Sequence, residues 1–459
     1  MSTSRQTDRF SLTQGGILNK ILMVALPIMG TNLLQLTYNL ADMFWLGRLL
    51  GGNAVAASGT AGMYMWLSVA FMMFGRMGAE IGVAQNLGHG DSEAALGYAQ
   101  AGIFVAACLG CLYSLSLFFL RGPLIDLFNI QEQSVAGNAK LYLSIVSAGI
   151  PFDFLSMATV GIYNASGNSR LPFFFSIICV GLNIALDPIL ISVFHMGIAG
   201  AALATAISQF TGGLLSILAL TVLRQRPFAR FKPFCVPKPA LLKQILRWAT
   251  PVALENFLFT TLTMLISRLI NGFGADAMAA NRIGSQIESL TWLIGGGFSS
   301  ALTAFAGQNF GAGKWSRLRR GFRISALAML GYGSLVTLLL LTAGAPLYRL
   351  FLPDAPRVLE IGVTYLKILA LCQLLSCLEG VAIGFSRGMG KTMIPSTVSI
   401  ASSVFRTALA YALVNTSLGM EGIWWALTIG SALRGLWMLI WYLLRSRKTP
   451  REDALPATA

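Results

Sequence analysis

Three carboxylates fall inside long apolar stretches of this chain, and each stands beside amides or a proline. Asp42 closes a run that includes Asn32, Gln35 and Asn39, and their spacing puts all four on one helical face. Asn183 and Asp187 lie one turn apart and are followed at once by Pro188. That proline leaves a carbonyl of the preceding turn without its donor and bends the helix. Glu255 follows Pro251 by one turn and heads a polar stripe of Asn256, Thr260, Thr263 and Ser267. A charge at the bilayer centre costs at least about 2.5–3.5 kcal/mol, so carboxylates at that depth require a reason. Amides can serve as glue between helices, but glue does not need a carboxylate. Two carboxylates with nearby amide and carbonyl oxygens offer hard ligands for a small cation, or a pair that shares a proton. Asp42 is near its helix end, where an interfacial location is the alternative.

Other polar groups are distributed along the chain. Thr205, Ser208 and Gln209 share one segment, Asn281, Gln286 and Glu288 another, and Glu379 and Asp153 stand in two more. Neither Asp153, beside Pro151, nor Glu379 has a comparably polar face, so each reads equally well as structural. Gln35, Tyr38 and Asn39, with Glu255, Asn256, Gln286 and Glu379 in the second half, are the candidates for a substrate cavity and a second site. Methionines and aromatics crowd one segment, from Met63 through Trp66 and from Phe71 to Phe74. Such side chains can line an adaptable cavity for apolar cations, or simply meet lipid. Cys108 and Cys111 have CxxC spacing, but no histidine or acid accompanies them and packing is the better reading. No HExxH or Walker pattern occurs, so no catalytic residue and no enzyme activity is expected.

The elements that must hold these residues are helices in lipid. Of 459 residues, 55% are hydrophobic and only 11% charged, with a mean hydropathy of +0.68. Apolar runs of about 20 residues, enough to cross a bilayer core, recur along the whole chain, and the alternation of a membrane barrel is missing. Twelve spans are expected at 18–46, 54–84, 94–119, 138–162, 171–194 and 198–222, then 242–270, 277–306, 318–345, 360–386, 393–416 and 421–445. The polar first eighteen residues argue against a cleaved signal peptide. The net charge of +15 does not indicate nucleic acid, because the basic residues sit at helix ends and in particular joins. Arg5 and Arg9, the join with Arg224, Arg226, Arg230, Lys232 and Lys238, the join with Lys314, Arg317, Arg319 and Arg320, and the tail with Arg445, Arg447, Lys448 and Arg451 all fall on one side. The positive-inside rule makes that side, and both termini, cytoplasmic. Arg349 and Arg357 on the opposite side weaken the contrast.

An internal repeat organises the chain. Gln85-Asn86-Leu87-Gly88-His89-Gly90 matches Gln308-Asn309-Phe310-Gly311-Ala312-Gly313 at an offset of 223 residues. The same offset pairs Tyr142 with Tyr365, Gly161 with Gly384, Gly167 with Gly390 and Pro172 with Pro395. Gly197 and Gly200 pair with Gly419 and Gly422 after a slip of one residue. The domains are therefore an amino-terminal lobe over 1–222, a basic linker over 223–240 with Pro227, Pro233, Pro237 and Pro239, a carboxy-terminal lobe over 241–446 and a tail over 447–459. Six spans per half give the halves parallel topology, the arrangement of transporters that alternate access between their halves.

Taken together, these motifs resemble the multidrug and toxic compound extrusion (MATE) family over nearly the whole chain. The resemblance is carried by Pro27, Asn39-Leu40-Ala41-Asp42 with Trp45-Leu46-Gly47, the two Gln-Asn motifs, Asn183-Ile184-Ala185-Leu186-Asp187-Pro188 and Gly197 through Gly200. It implies an all-α membrane protein whose two six-helix lobes form a V, and an antiporter that exports organic, often cationic, compounds against inward H+ or Na+. Asp42, Asn183, Asp187 and Thr205 look like the amino-lobe cation set of the DinF-like branch. In a sodium-coupled protein, Asp42, Asn183 and Asp187 would hold the metal ion. By the same resemblance Pro27 is the hinge at which the first helix bends. Pro251-Val252-Ala253-Leu254-Glu255 looks like the seventh-helix motif of the NorM-like branch, but the tenth helix lacks that branch's aspartate and offers Glu379. No cofactor is expected beyond the transported ion, and the partners are the bilayer and small organic molecules. The implied location is the bacterial inner membrane, with a monomer as the working form. The rivals are a lipid-linked oligosaccharide flippase, for which Arg268 and Arg406 are the obvious deep positive charges, and a channel.

Overall fold

The computed structural model describes residues 10–130, 132–223, 228–232, 235–349 and 355–446. Arg5, Arg9, Arg224, Arg226, Pro227, Pro233, Arg447, Lys448, Arg451 and the tail over 447–459 lie outside the described residues.

The described residues form helices, and each of the twelve expected segments is helical. The first half contains α1 (Ile17–Leu50), α2 (Gly52–His89), α3 (Ser92–Asp126), α4 (Gln133–Ser147), α5 (Ile150–Ala165), α6 (Arg170–Pro188) and α7 (Ile198–Thr221). The second contains α8 (Pro239–Asn271), α9 (Ala275–Gly311), α10 (Trp315–Thr342), the short α11 (Gly344–Arg349), α12 (Pro356–Gly388), α13 (Met393–Leu413) and α14 (Gly419–Ser446). Nine of the described helices are long and apolar enough to cross a membrane, ten if α4 and α5 count as one broken span. Two expected spans, α9 and α13, fall outside that set. α9 carries Asn281, Arg282, Gln286 and Glu288, and α13 carries Arg406 among serines and threonines.

The structure differs from expectation in two of the spans. The single helix expected over 138–162 is bent by 53° between α4 and α5, with Gly149 at the break and Pro151 in the first turn beyond it. The helix expected over 171–194 keeps α geometry only to Pro188. It then runs on as a π-helical turn over Ile189–Val193, in which the Phe194 amide reaches the Ile189 carbonyl. Proline supplies no amide there, and the wider turn accommodates the loss.

The chain divides into two compact units, and the division is not at the linker. One unit takes Met23–Ala253 and the other takes Leu12–Leu22 with the chain from Leu254 onward. The second unit keeps the segment before α1 because its backbone is bound there. The Leu12 amide donates to Gln308 Oε1 at 2.8 Å, and Asn309 Nδ2 donates to the Leu12 carbonyl at 3.2 Å. Lys314 and Arg317 hold the carbonyls of Thr13, Gln14 and Gly15. The first turns of α8 stay with the first unit, where Ile245 packs against Ala101 and Val105.

In the first unit the core is built from alanines and rings, among them Ala57, Ala61, Phe154 and Tyr163. Small residues let helix backbones approach where lipid supplies no hydrophobic drive between helices. In the second unit Tyr348, Tyr365 and Trp424 fill the equivalent place, and the Tyr348 hydroxyl donates to the Ala280 carbonyl at 2.7 Å. Large apolar side chains such as Trp66, Phe119, Leu327 and Trp437 remain exposed, as helices facing lipid require.

The repeat extends to atomic contacts. A Cβ at Gly161 would stand 2.9 Å from the Arg76 carbonyl oxygen, and one at Gly384 would stand 2.5 Å from the Ser299 carbonyl oxygen. Both pairs keep the 223-residue offset. Asn86 Nδ2 donates to the Gly82 carbonyl and Asn309 Nδ2 to the Phe305 carbonyl, at 2.7 and 2.8 Å. One pair has exchanged sizes. In the first unit Gly82 on α2 receives the Tyr98 ring of α3, whereas in the second Phe305 on α9 fills the space over Gly321 of α10. Gly384→Ala is expected to destabilise the protein by about 1–3 kcal/mol through overpacking. Gly296→Ala, where a Cβ meets nothing within 4 Å, is the matched control. Thermal unfolding of both variants in detergent checks this, and equal midpoints would rule it out.

Candidate functional site

α1 presents its polar face beyond Pro27, whose carbonyl accepts the Thr31 hydroxyl at 3.1 Å. Gln35 and Asn39 on that face are exposed, and Tyr38 and Asp42 are half-buried. Tyr38 donates its hydroxyl to Thr205 Oγ1 of α7 at 3.2 Å. Asp42 Oδ1 is buried without a hydrogen-bond partner.

α6 brings the densest set of unmet polar atoms. Asn183 and Asp187 are fully buried, and neither the amide nor the carboxylate has a hydrogen-bond partner. Asp187 lies in electrostatic range of Asp42, and both act on Tyr38. Tyr142 of α4 is in range of both carboxylates and of the Thr205 hydroxyl. The first unit thus gathers Tyr38, Asp42, Tyr142, Asn183, Asp187 and Thr205 from α1, α4, α6 and α7. Gly200 contributes to this gathering: a Cβ there would come 2.8 Å from the Leu190 carbonyl carbon, so only glycine lets α7 close onto the π turn. Gln209, one turn beyond Thr205, adds a buried and unpartnered Oε1. Asp153 of α5 is within electrostatic range of Tyr38 but makes no direct bond to the set. Among the described residues no arginine or lysine forms an ion pair with Asp42 or Asp187, so two acids face one another with hydroxyls and one amide. Burying such groups unpaired is costly, and a bound cation or a proton removes the cost.

The second unit treats its charges differently. Glu255 Oε2 accepts from Arg387 Nη2 at 2.9 Å and from the Ser396 hydroxyl at 2.7 Å. Glu379 Oε1 lies 2.7 Å from Arg434 Nε, with both side chains almost wholly buried. Glu288 accepts from Trp292 Nε1 at 2.9 Å and from the Tyr365 hydroxyl at 3.2 Å. Asn256 and Gln286 are half-buried, and their carbonyls receive the Thr260 and Ser289 hydroxyls. Glu255 and Glu379 are therefore in separate ion pairs, in range of each other but not joined.

The sequence missed several of these residues. Arg268, expected as a deep positive charge, is exposed, while Arg434 joins Arg406 as a buried one. Glu80 is fully buried beside Arg76, with 3.6 Å between the charged atoms. Tyr142 was legible only as the repeat mate of Tyr365. Cys108 and Cys111 are free and exposed. No group of three or more His, Cys, Asp or Glu side chains suited to a metal occurs among the described residues.

With the duplicated helices and the acidic site in place, comparison with known proteins is decisive. The MatE family model matches residues 27–189 and again 251–412, one match in each half. This chain belongs to the MatE family. It is 29% identical over 438 residues to a probable multidrug resistance protein NorM of Thermotoga maritima, covering 93% of this chain and 92% of that one. It is 28% identical over 421 residues to a probable multidrug resistance protein YpnP of Bacillus subtilis, covering 90% and 92%. In fold it superimposes on a crystal structure of MATE in the bent conformation with a TM-score of 0.86, at 22% identity over 95% of this chain and 97% of the other. The all-α, multi-pass membrane architecture and the two-lobe repeat are those of MatE transporters, and both lobes carry the family match.

Proposed function

We propose that this MatE protein is a secondary antiporter exporting organic, often cationic, compounds in exchange for H+ or Na+. The ion is read at Asp42, Asn183, Asp187 and Thr205. The observation that carries the reading is the fully buried Asn183–Asp187 pair, four polar side-chain atoms without a partner, beside Asp42. The relatives named as multidrug resistance proteins support the export of varied compounds. A proton or Na+ bound between the two carboxylates relieves their repulsion, and a cationic substrate relieves it equally. The two ligands therefore oppose one another's binding, and by linkage the opposition is mutual. Pro27, with its missing amide, is the place where α1 can bend as the site changes occupancy. The charge pattern supports cytoplasmic termini, and the bacterial relatives support a bacterial inner-membrane location.

The flippase alternative needs a basic cavity. It is weakened by the exposure of Arg268 and by the neutralisation of Arg387 by Glu255 and of Arg434 by Glu379. These leave Arg406 as the one buried arginine of the second unit without a directly paired carboxylate among the described residues.

The test uses purified protein in proteoliposomes loaded with a fluorescent cationic dye, under proton and sodium gradients imposed separately. One gradient should drive dye against its concentration and the other should not. Dye movement unaffected by both gradients would sink the antiport reading.

A further inference from the structure

Arg406 of α13 is a buried cation with an unused donor. It is 8% exposed, and its Nε is buried without a hydrogen-bond partner. No described carboxylate lies within ion-pair distance of it, whereas Arg387 and Arg434 of the same unit are paired directly with Glu255 and Glu379. Glu288, Glu379 and Arg434 are in electrostatic range, but the Glu288 oxygens accept from Trp292 and Tyr365, and Glu379 and Arg434 pair with each other. The guanidinium carbon stands 4.7 Å from the centre of the Phe259 ring, and that ring is 41% exposed. Register adds a second observation. At the 223-residue offset Arg406 occupies the position of Asn183, a buried polar side chain that also lacks hydrogen-bond partners. The duplicated scaffold thus buries a polar side chain at this place in both halves, a neutral amide in one and a cation in the other.

We propose that Arg406 and Phe259 form a second binding site, which takes the carboxylate of an aromatic organic acid. A guanidinium offers a planar fork of donors that matches a carboxylate with two parallel bonds. Phe259 holds the guanidinium from one side and presents a ring face to the aromatic part of the ligand. A buried arginine without an anion is costly in a membrane interior, and a bound carboxylate removes that cost. The protein then accepts compounds whose charge is negative as well as positive, with the acidic first-unit site and this basic one each taking its own sign. This inference rests on the reading of the chain as an exporter of organic compounds.

Equilibrium binding tests it on the full-length protein in detergent, with no ion gradient, so the outcome is independent of coupled transport. The probes are 2-naphthoate and its uncharged methyl ester, followed by quenching of tryptophan fluorescence. The acid should bind about tenfold more tightly than the ester, as a charged hydrogen-bonded pair implies. Arg406→Gln should erase that preference, and Arg406→Lys should restore only part of it, because an ammonium lacks the fork. Equal affinity for acid and ester in the unaltered protein would overturn the proposal, whether or not the variants fold. So would an Arg406→Gln protein that keeps its preference for the acid. Acid binding that persists while neither gradient drives efflux would count against the antiport reading alone.

Discussion

Asp187→Asn is expected to remove ion-driven dye efflux from proteoliposomes and, at equilibrium, to erase an ion effect on dye affinity of about 5- to 150-fold, the usual span of a coupling free energy. The substitution preserves shape and hydrogen-bonding capacity but removes the charge that an incoming ion must neutralise. Asp187 is fully buried with neither oxygen satisfied, so no solvent or ion pair can substitute for the loss. Asp42→Asn should act in the same direction, because the two carboxylates interact. The two variants together should lose little more than either alone, since groups in one network are not additive. Dye binding at equilibrium, with no gradient, separates loss of coupling from loss of folding. Asp187→Asn vesicles that still accumulate or expel dye in proportion to the gradient would remove Asp187 from the mechanism.

The second large effect concerns stability in the other half. Glu379 and Arg434 are 2% and 8% exposed and 2.7 Å apart. Removing one partner of such a pair leaves a charge without compensation at depth and costs about 3–5 kcal/mol. Glu379→Leu and Arg434→Met should each lower the unfolding midpoint in detergent substantially. The double variant should recover most of the loss, because two apolar groups of similar volume need no mutual compensation. A cycle in which the double variant is as unstable as the sum of the singles would mean the pair is not acting as a unit. Single losses under about 1 kcal/mol would instead mark it as solvated, like an exposed bridge.

The sequence was informative where one physical effect dominated. Apolar length located ten of the twelve helical segments, and the offset from Gln85 to Gln308 revealed the duplication. Asp42, Asn183 and Asp187 were legible because carboxylates and amides at lipid depth have few innocent explanations. Tyr142 was not legible as part of that set, since a tyrosine in an apolar helix is unremarkable until Thr205 and the carboxylates face it. Glu255 and Glu379 read as candidate site residues because their partners, Arg387 and Arg434, come from other helices, and no spacing rule links them. The break between α4 and α5 was hidden for a related reason. A proline in the first turn of a helix is harmless, so Pro151 alone cannot announce that a new helix begins at Ile150.

The exchange of ring and glycine between Gly82–Tyr98 and Phe305–Gly321 bears on how the duplicated halves diverged. Each half keeps one aromatic ring between its second and third spans, but the ring is carried by opposite helices. No single substitution connects the two solutions. One route passes through an ancestor with rings on both helices, and the other through an ancestor with a cavity. Once crossed, the step is hard to reverse. A helix transplanted alone from one half to the other would meet either a ring against a ring or an empty slot, while α2 and α3 moved together would carry their own fit. For this contact the hairpin of α2 and α3 is the smallest piece that keeps its own fit, and graft experiments between the halves should be cut accordingly.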